Sequence, residues 1–278
     1  MKRIGRYQVF VPLHITKFSE IFVCRDTDLE IDVCIKVFKP QDSVLDGATV
    51  TVEYWRERFL REAKVMARLD HPHIVPLKDY ALDGDGNPFI VMPFYPATLK
   101  YEIGKDTDDP ATLRRLPPKR RAKAVSVPRA TAVWRQVLQA LAAMHGFGLV
   151  HRDIKPGNLL LTAKRQGDVK VCDFGLVQVP GLERDVGRHW LGTKDYAPPE
   201  QRRKAAAVDP RADVFAAGVL AFRMLAGRLP KSGEPFPGAK AKGCPAELGA
   251  LIDACRARDR ADRPADAAAV LARLDELV

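Results

Sequence analysis

No glycine occurs between Arg6 and Asp46. Yet "YQVFVPL" and "SEIFVCRD" in that interval alternate apolar and polar residues and read as antiparallel strands joined by a turn. Turns that need left-handed backbone angles, or that approach a ligand closely, normally use glycine. Here the turn, "HITKFS", is built only from residues that carry side chains. Paired cysteine spacing is missing too. Cys24, Cys34, Cys172, Cys244 and Cys255 are five in number and include no C-x-x-C, so neither a zinc site nor a disulfide framework is indicated. They read as reduced, buried thiols. No apolar run is long enough to cross a bilayer: "VFAAGVLAFRMLAG" (214–227) is short and holds Arg223, which makes it a core helix. The N-terminal "MKRIGRYQVFVP" is basic without an apolar stretch, so no secretory signal and no membrane association are expected, and a cytoplasmic location is.

What is present is ordinary for a soluble globular chain: 278 residues, 46% hydrophobic and 29% charged. The net charge of +10 favours anionic partners, whether nucleotide phosphates, nucleic acid or acidic proteins. Three strands are expected over residues 7–39, the third being "DVCIKVF". A helix follows over 53–69 with Phe59, Ala63, Met66 and Ala67 on one stripe. Two more strands, 75–81 and 89–93, flank the turn "DGDGNP", which is read as a hairpin turn because the position where a calcium loop needs glutamate is Phe94. From about residue 98 the pattern is helical, and "RATAVWRQVLQALAAMHG" places Val133, Val137 and Leu141 at four-residue spacing. The expected fold is therefore α+β: a sheet-rich lobe with one main helix over 1–95, and a larger, mainly helical lobe over 96–278. Segment 98–129 sets acids (Glu102, Asp106, Asp108, Asp109) before bases (Arg114, Arg115, Lys119, Arg120, Arg121, Lys123, Arg129). It reads as a solvated, mobile insertion, with 114–129 a possible docking surface; nucleic acid is the less favoured partner.

The polar signatures lie in order along the chain: "VCIKVF" with Lys36, "REA" with Glu62, "HRDIKPGN" at 151–158, and "DFG" at 173–175. Phosphoryl transfer from ATP needs a carboxylate to accept or orient the acceptor hydroxyl, oxygen ligands for magnesium, and a cation on the phosphates. Asp153 and Asn158 supply a base and a metal ligand from one short loop. Asp173 supplies a second oxygen ligand, and Lys36 a cation that Glu62 can hold. Each tripeptide alone is commonplace; the ordered set is specific.

The ordered set resembles a eukaryotic-type (Hanks-type) serine/threonine protein kinase domain, and the resemblance covers nearly the whole chain. The style of "KPGN" and the Ala/Arg/Asp-rich C-terminus point to a bacterial member. The resemblance implies ATP and Mg2+ as cofactors and a protein substrate offering a serine or threonine hydroxyl. It implies that Lys36 pairs with Glu62, that Asp153 is the base, and that Lys155 steadies the transferred phosphate. Asn158 and Asp173 would bind magnesium. Ile21, Cys34 and Leu160 would cage adenine, with Met92 as gatekeeper and the backbone of Pro93 and Tyr95 pairing with the base. Glu200 of "GTKDYAPPEQ" is expected to meet Arg263, and Asp213 to anchor the catalytic loop. Lys155 with Thr193 is the serine/threonine rather than the tyrosine pattern, and Gly157, in place of a common acid, gives no support to a preference for basic substrates.

Two features depart from the family. His14, Thr16 and Ser19 occupy the three glycine positions of the phosphate hairpin, with Lys17 at the tip able to supply charge in place of backbone N–H groups. The segment between Asp173 and Gly192 contains no Ser, Thr or Tyr, so Arg152 has no phosphorylated residue there to bind; Glu183 or Asp185 could act as a fixed anion instead. The rival reading is a pseudokinase, a binding or scaffold module whose altered hairpin no longer supports turnover.

Overall fold

The structure, a computed structural model, describes residues 2–16, 18–41, 51–107, 109–179, 193–203, 208–238 and 243–277. The chain divides into two compact units, Met1–Tyr95 and Pro96–Val278.

Alternation builds the sheet of the first unit. Its strands are β1 (Arg3–Ile4), β2 (Tyr7–Ile15), β3 (Ser19–Asp26), β4 (Ile31–Phe38), β5 (Asp79–Leu82) and β6 (Pro88–Pro93). They pair antiparallel in the order β1-β2-β3-β4-β6-β5. Val33, Ile35 and Val37 of β4 turn into a core with Tyr7, Phe22, Phe89 and Val91. Cys34 and Lys36 therefore face the other way. The register sets Val23 and Met92 beside Cys34, and Ile21 and Ile90 beside Lys36. The ladder of β2 slips between Pro12 and His14, where proline has no N–H to donate. The expected strand 75–81 begins only at Asp79, because Pro76 cannot donate to a ladder either. In the β5–β6 turn, Asp83 accepts hydrogen bonds from the amides of Asp85 and Asn87, at 3.0 and 2.8 Å, which is hairpin-turn chemistry.

Helix α1 (Val52–Arg68) is capped by Thr51, whose side chain accepts from the Tyr54 amide. It buries Phe59, Ala63 and Met66 as the spacing requires. It also buries Glu62 and Val65, whereas Ala67 is exposed.

In the second unit β7 (Ala97–Thr98), β8 (Leu159–Leu161) and β9 (Val169–Val171) form a small antiparallel sheet. The helices are α2 (Lys100–Ile103), α3 (Pro110–Arg115), α4 (Val127–Gly146), α5 (Pro199–Arg203), α6 (Arg211–Ala226), α7 (Ala246–Cys255) and α8 (Ala267–Asp275). Ser126 caps α4, whose Val133, Val137 and Leu141 are fully buried. The apolar run of α6 is buried on nearly every side, and no described helix is long and apolar enough to cross a membrane.

Segment 98–129 differs from the mobile loop expected. Leu99 and Ile103 are fully buried, and Lys105 and Lys123 donate backbone hydrogen bonds to Arg120 and Ile103, each at 2.9 Å. The buried Arg223 of α6 pairs with Asp106 and donates to the carbonyls of Ile103 (2.8 Å) and Lys123 (3.2 Å). Arg129 leaves the basic patch and forms a bidentate pair with Glu102, both bonds 2.9 Å. Local charge pattern cannot reveal such anchors, because Arg223 lies far along the chain. The side chains of Arg114, Arg115, Lys119, Arg120, Arg121 and Lys123 remain exposed.

Candidate active site

In the first unit, β4 and α1 bring Lys36 and Glu62 together. Lys36 Nζ donates to both carboxylate oxygens at 2.8 Å, and the side chains are 12% and 5% exposed. Such a desolvated pair costs solvation energy that a bidentate geometry offsets. Ile21, Cys34 and Met92 lie on the same sheet face by register and are each half-buried. Burial pushes the Cys34 thiol up to about 12, which disfavours the reactive thiolate. Pro93 ends β6 and Tyr95 closes the unit, both half-buried. Lys17 lies outside the described residues.

In the second unit the loop 151–158 converges on Asp153. Thr193 donates to Asp153 Oδ1 through its backbone N–H (3.1 Å) and its hydroxyl (2.9 Å). Lys155 Nζ (2.6 Å) and Asn158 Nδ2 (2.9 Å) donate to Oδ2. The Thr193 hydroxyl also accepts from Lys155 at 2.9 Å, closing a triangle. The carboxylate is thus fixed from both sides and only 6% of Asp153 is exposed. Asn158 spends its NH2 group on Asp153, so among the described residues its Oδ1 accepts no hydrogen bond.

Asp213 supports this loop from beneath. Fully buried at the start of α6, it accepts from the amides of His151 (2.7 Å) and Arg152 (2.8 Å) and meets His145 Nε2 at 3.1 Å. These bonds hold Arg152 at a positive φ of 66°, a conformation that non-glycine residues avoid without support. Burial alone would raise the Asp213 carboxyl, but the hydrogen bond and charge of His145, with His151, hold it below its ordinary value. His151 Nδ1 accepts from the Asp153 amide (3.3 Å), and Nε2 lies 3.2 Å from the Cys172 carbonyl, which places the ring proton on Nε2. The ring stands edge-on to the buried Phe174, 5.6 Å away.

Asp173 is exposed with φ 67°, immediately before the 3-10 turn Phe174–Leu176; aspartate tolerates that region better than most residues. Leu160, in β8, is half-buried. Arg152 Nε donates to the Leu176 carbonyl at 2.6 Å, while Glu183 and Asp185 lie outside the described residues. Arg263, expected opposite Glu200, forms a bidentate pair with it at 2.6 and 3.0 Å and lies over the Phe215 ring at 4.8 Å.

Thr193, which the sequence marks only as part of the serine/threonine pattern, belongs to the Asp153 site. The signal was weak, since Thr193 lies 40 residues beyond the carboxylate it touches. Tyr196, three residues on, donates to Asp106 at 2.7 Å, a contact across 90 residues that no local pattern signals.

Residues 9–269 match the family described as "Protein kinase domain". The chain is 34% identical over 289 residues to the serine/threonine-protein kinase PknL of Mycobacterium tuberculosis, covering 98% of this chain and 66% of that protein. It is 32% identical to the serine/threonine-protein kinase pkn2 of Myxococcus xanthus over 84% of this chain and 26% of that one. The chain thus spans just under two thirds of the first relative and about a quarter of the second. Among solved structures, the M. tuberculosis PknI kinase domain matches the fold with a TM-score of 0.69 and 23% identity, over 100% of this chain and 98% of that one.

Proposed function

The chain belongs to the protein kinase domain family, and from that premise we propose that it transfers the terminal phosphoryl group of ATP to serine and threonine hydroxyls of proteins. The observation that carries this reading is the fixed Asp153 carboxylate, gripped by Thr193, Lys155 and Asn158. An acceptor hydroxyl reaching Asp153 hands it a proton, or is oriented by it, as its oxygen attacks phosphorus. Lys155, beside that carboxylate, steadies the phosphoryl group in flight, and Lys36, held by Glu62, binds the nucleotide phosphates. Ile21, Cys34 and Met92, on one face of the first unit's sheet, would receive adenine, with the Pro93 and Tyr95 backbone pairing with its edge; Leu160 of the second unit is assigned to adenine binding as well.

The residues fit magnesium. Asn158 has a carbonyl oxygen to give and Asp173 an exposed carboxylate, while no group of three or more His, Cys, Asp or Glu suited to a metal occurs among the described residues. Magnesium favours such sparse protein ligation, completing its shell with water and phosphate oxygens. When bound, it neutralises charge developing on the transferred group.

The exposed basic side chains of 114–123 support docking of an acidic protein partner there. A pseudokinase reading draws on one observation, the glycine-less hairpin, whose tip amides are engaged by a side chain. Incubation with labelled ATP and magnesium decides between them. Wild type should label Ser or Thr on itself or on a generic acceptor, and Asp153→Ala should remove the label with the fold retained. Equal labelling of both removes Asp153 from the mechanism; no labelling of either favours the pseudokinase.

A further inference from the structure

The β2–β3 turn shows what replaces glycine. Thr16 Oγ1 accepts the amides of Phe18 (3.2 Å) and Ser19 (2.9 Å), and lies 2.9 Å from the Ser19 hydroxyl. Thr16 N–H donates to the Ser19 carbonyl at 2.8 Å, and the Phe18 carbonyl accepts from Lys39, just past β4, at 2.9 Å. Two amides that a glycine hairpin would turn toward phosphate are thus already spent on a side chain within the turn. The knot also directs the Phe18 ring onto Trp55 of α1. Their centroids are 3.8 Å apart with planes 26° from parallel. Trp55 is in turn held by Tyr54 at 5.4 Å and by the Arg58 guanidinium at 5.3 Å. Four and seven residues further along the same face come Phe59, which packs on Phe38 at 5.7 Å, and Glu62, which holds Lys36.

We propose that Phe18 and Trp55 are positioning residues, forming a clamp that fixes the hairpin to α1 and thereby holds Glu62 on Lys36. The hairpin is then a built-in strut whose order does not depend on nucleotide. Its relevance to phosphate transfer rests on the kinase reading; the mechanical coupling does not.

The test uses the full chain without nucleotide and reads amide hydrogen exchange along α1. Phe18→Ala should speed exchange in α1 about tenfold, with α4 and α6 of the second unit unchanged. Trp55→Ala should do the same, and the double variant should add nothing to either single one. Phe18→Tyr, which keeps a stackable ring, should restore protection; Phe10→Ala, on the same hairpin but 54% exposed, should change nothing. Should Phe18→Ala unfold the protein, Phe18→Leu makes the same comparison with apolar bulk kept and the stack lost. Unchanged α1 exchange, a rise spread evenly over both units, or additive single variants would overturn the clamp. Steady-state kinetics supply the second readout: loss of the clamp should lower kcat about tenfold with the KM for ATP within twofold. Absence of any turnover in wild type would count against the kinase reading alone, because exchange still reports the coupling.

Discussion

Lys36 and Glu62 pair in a nearly dry setting, so replacing one has two consequences that must be separated. Lys36→Ala should reduce phosphoryl transfer on the order of 100-fold or more. It should also cost up to about 3 kcal/mol, because the buried Glu62 carboxylate loses the ammonium that both its oxygens accept from. Lys36→Met with Glu62→Gln removes both charges. Denaturant unfolding should show most of the stability regained, while labelled-ATP assays show activity still absent; recovery of activity would free Lys36 of its role. Asp213 behaves differently because its partners are mostly backbone amides and imidazole. Its carboxyl is held below the ordinary value, so its contribution is fully present above the unfolded value of about 3.9 and is lost as pH falls through the folded one. Asp213→Asn should therefore cost about 3 kcal/mol at neutral pH, and its deficit against wild type should shrink below about pH 4. A deficit constant down to pH 2 would contradict this. Cys34 offers a chemical check: with its thiol pushed up to about 12, it should resist iodoacetamide between pH 7 and 9 in the folded protein.

Among the elements, the β2–β3 hairpin carries the sharpest expectation. Glycine at positions 14, 16 and 19 together removes the hydroxyl knot and adds chain entropy of roughly 0.5–1 kcal/mol per position. Each lost hydrogen bond adds about 1 kcal/mol. The expected result is a protein less stable by about 4–6 kcal/mol and less active, although glycine is the family's usual residue there. Tighter nucleotide binding with higher turnover, by calorimetry and labelling, would identify the native hairpin as an impaired phosphate clamp. The segment before α4 depends on α6 in a comparable way. Arg223 is fully buried and is the partner of Asp106 and of two carbonyls. Arg223→Met should cost about 3–5 kcal/mol and expose residues 103–125 to limited proteolysis, with exchange in the β-sheet unit unaffected.

At the scale of the whole molecule the excess of positive charge is the property most easily misread. A net charge of +10 with an exposed basic stretch will retain polyanions at low salt whatever the function. If about five phosphates are contacted, binding to duplex DNA should weaken on the order of several hundredfold between 50 and 200 mM salt, equally for unrelated sequences. A salt-resistant, sequence-selective complex in a shift assay would instead make nucleic acid a true partner.

What the sequence determined by itself was everything set over short chain distances. Alternation specified which face of β4 holds Lys36, four-residue spacing specified the buried side of α4, and the loop 151–158 carried Asp153, Lys155 and Asn158 within a few residues of one another. Periodicity and spacing act locally, and so they survive without coordinates. Tertiary structure alone decided which distant groups meet. Thr193 reaches Asp153 across 40 residues, Arg223 reaches Asp106 across 117, and Phe18 finds Trp55 on a helix that begins beyond the next two strands. The threonine and serine at glycine positions 16 and 19 were visible as a departure, but not as a remedy. A hydroxyl three residues from another can serve the turn or a ligand equally well, and only the fold, by turning Phe18 onto α1, selects the turn.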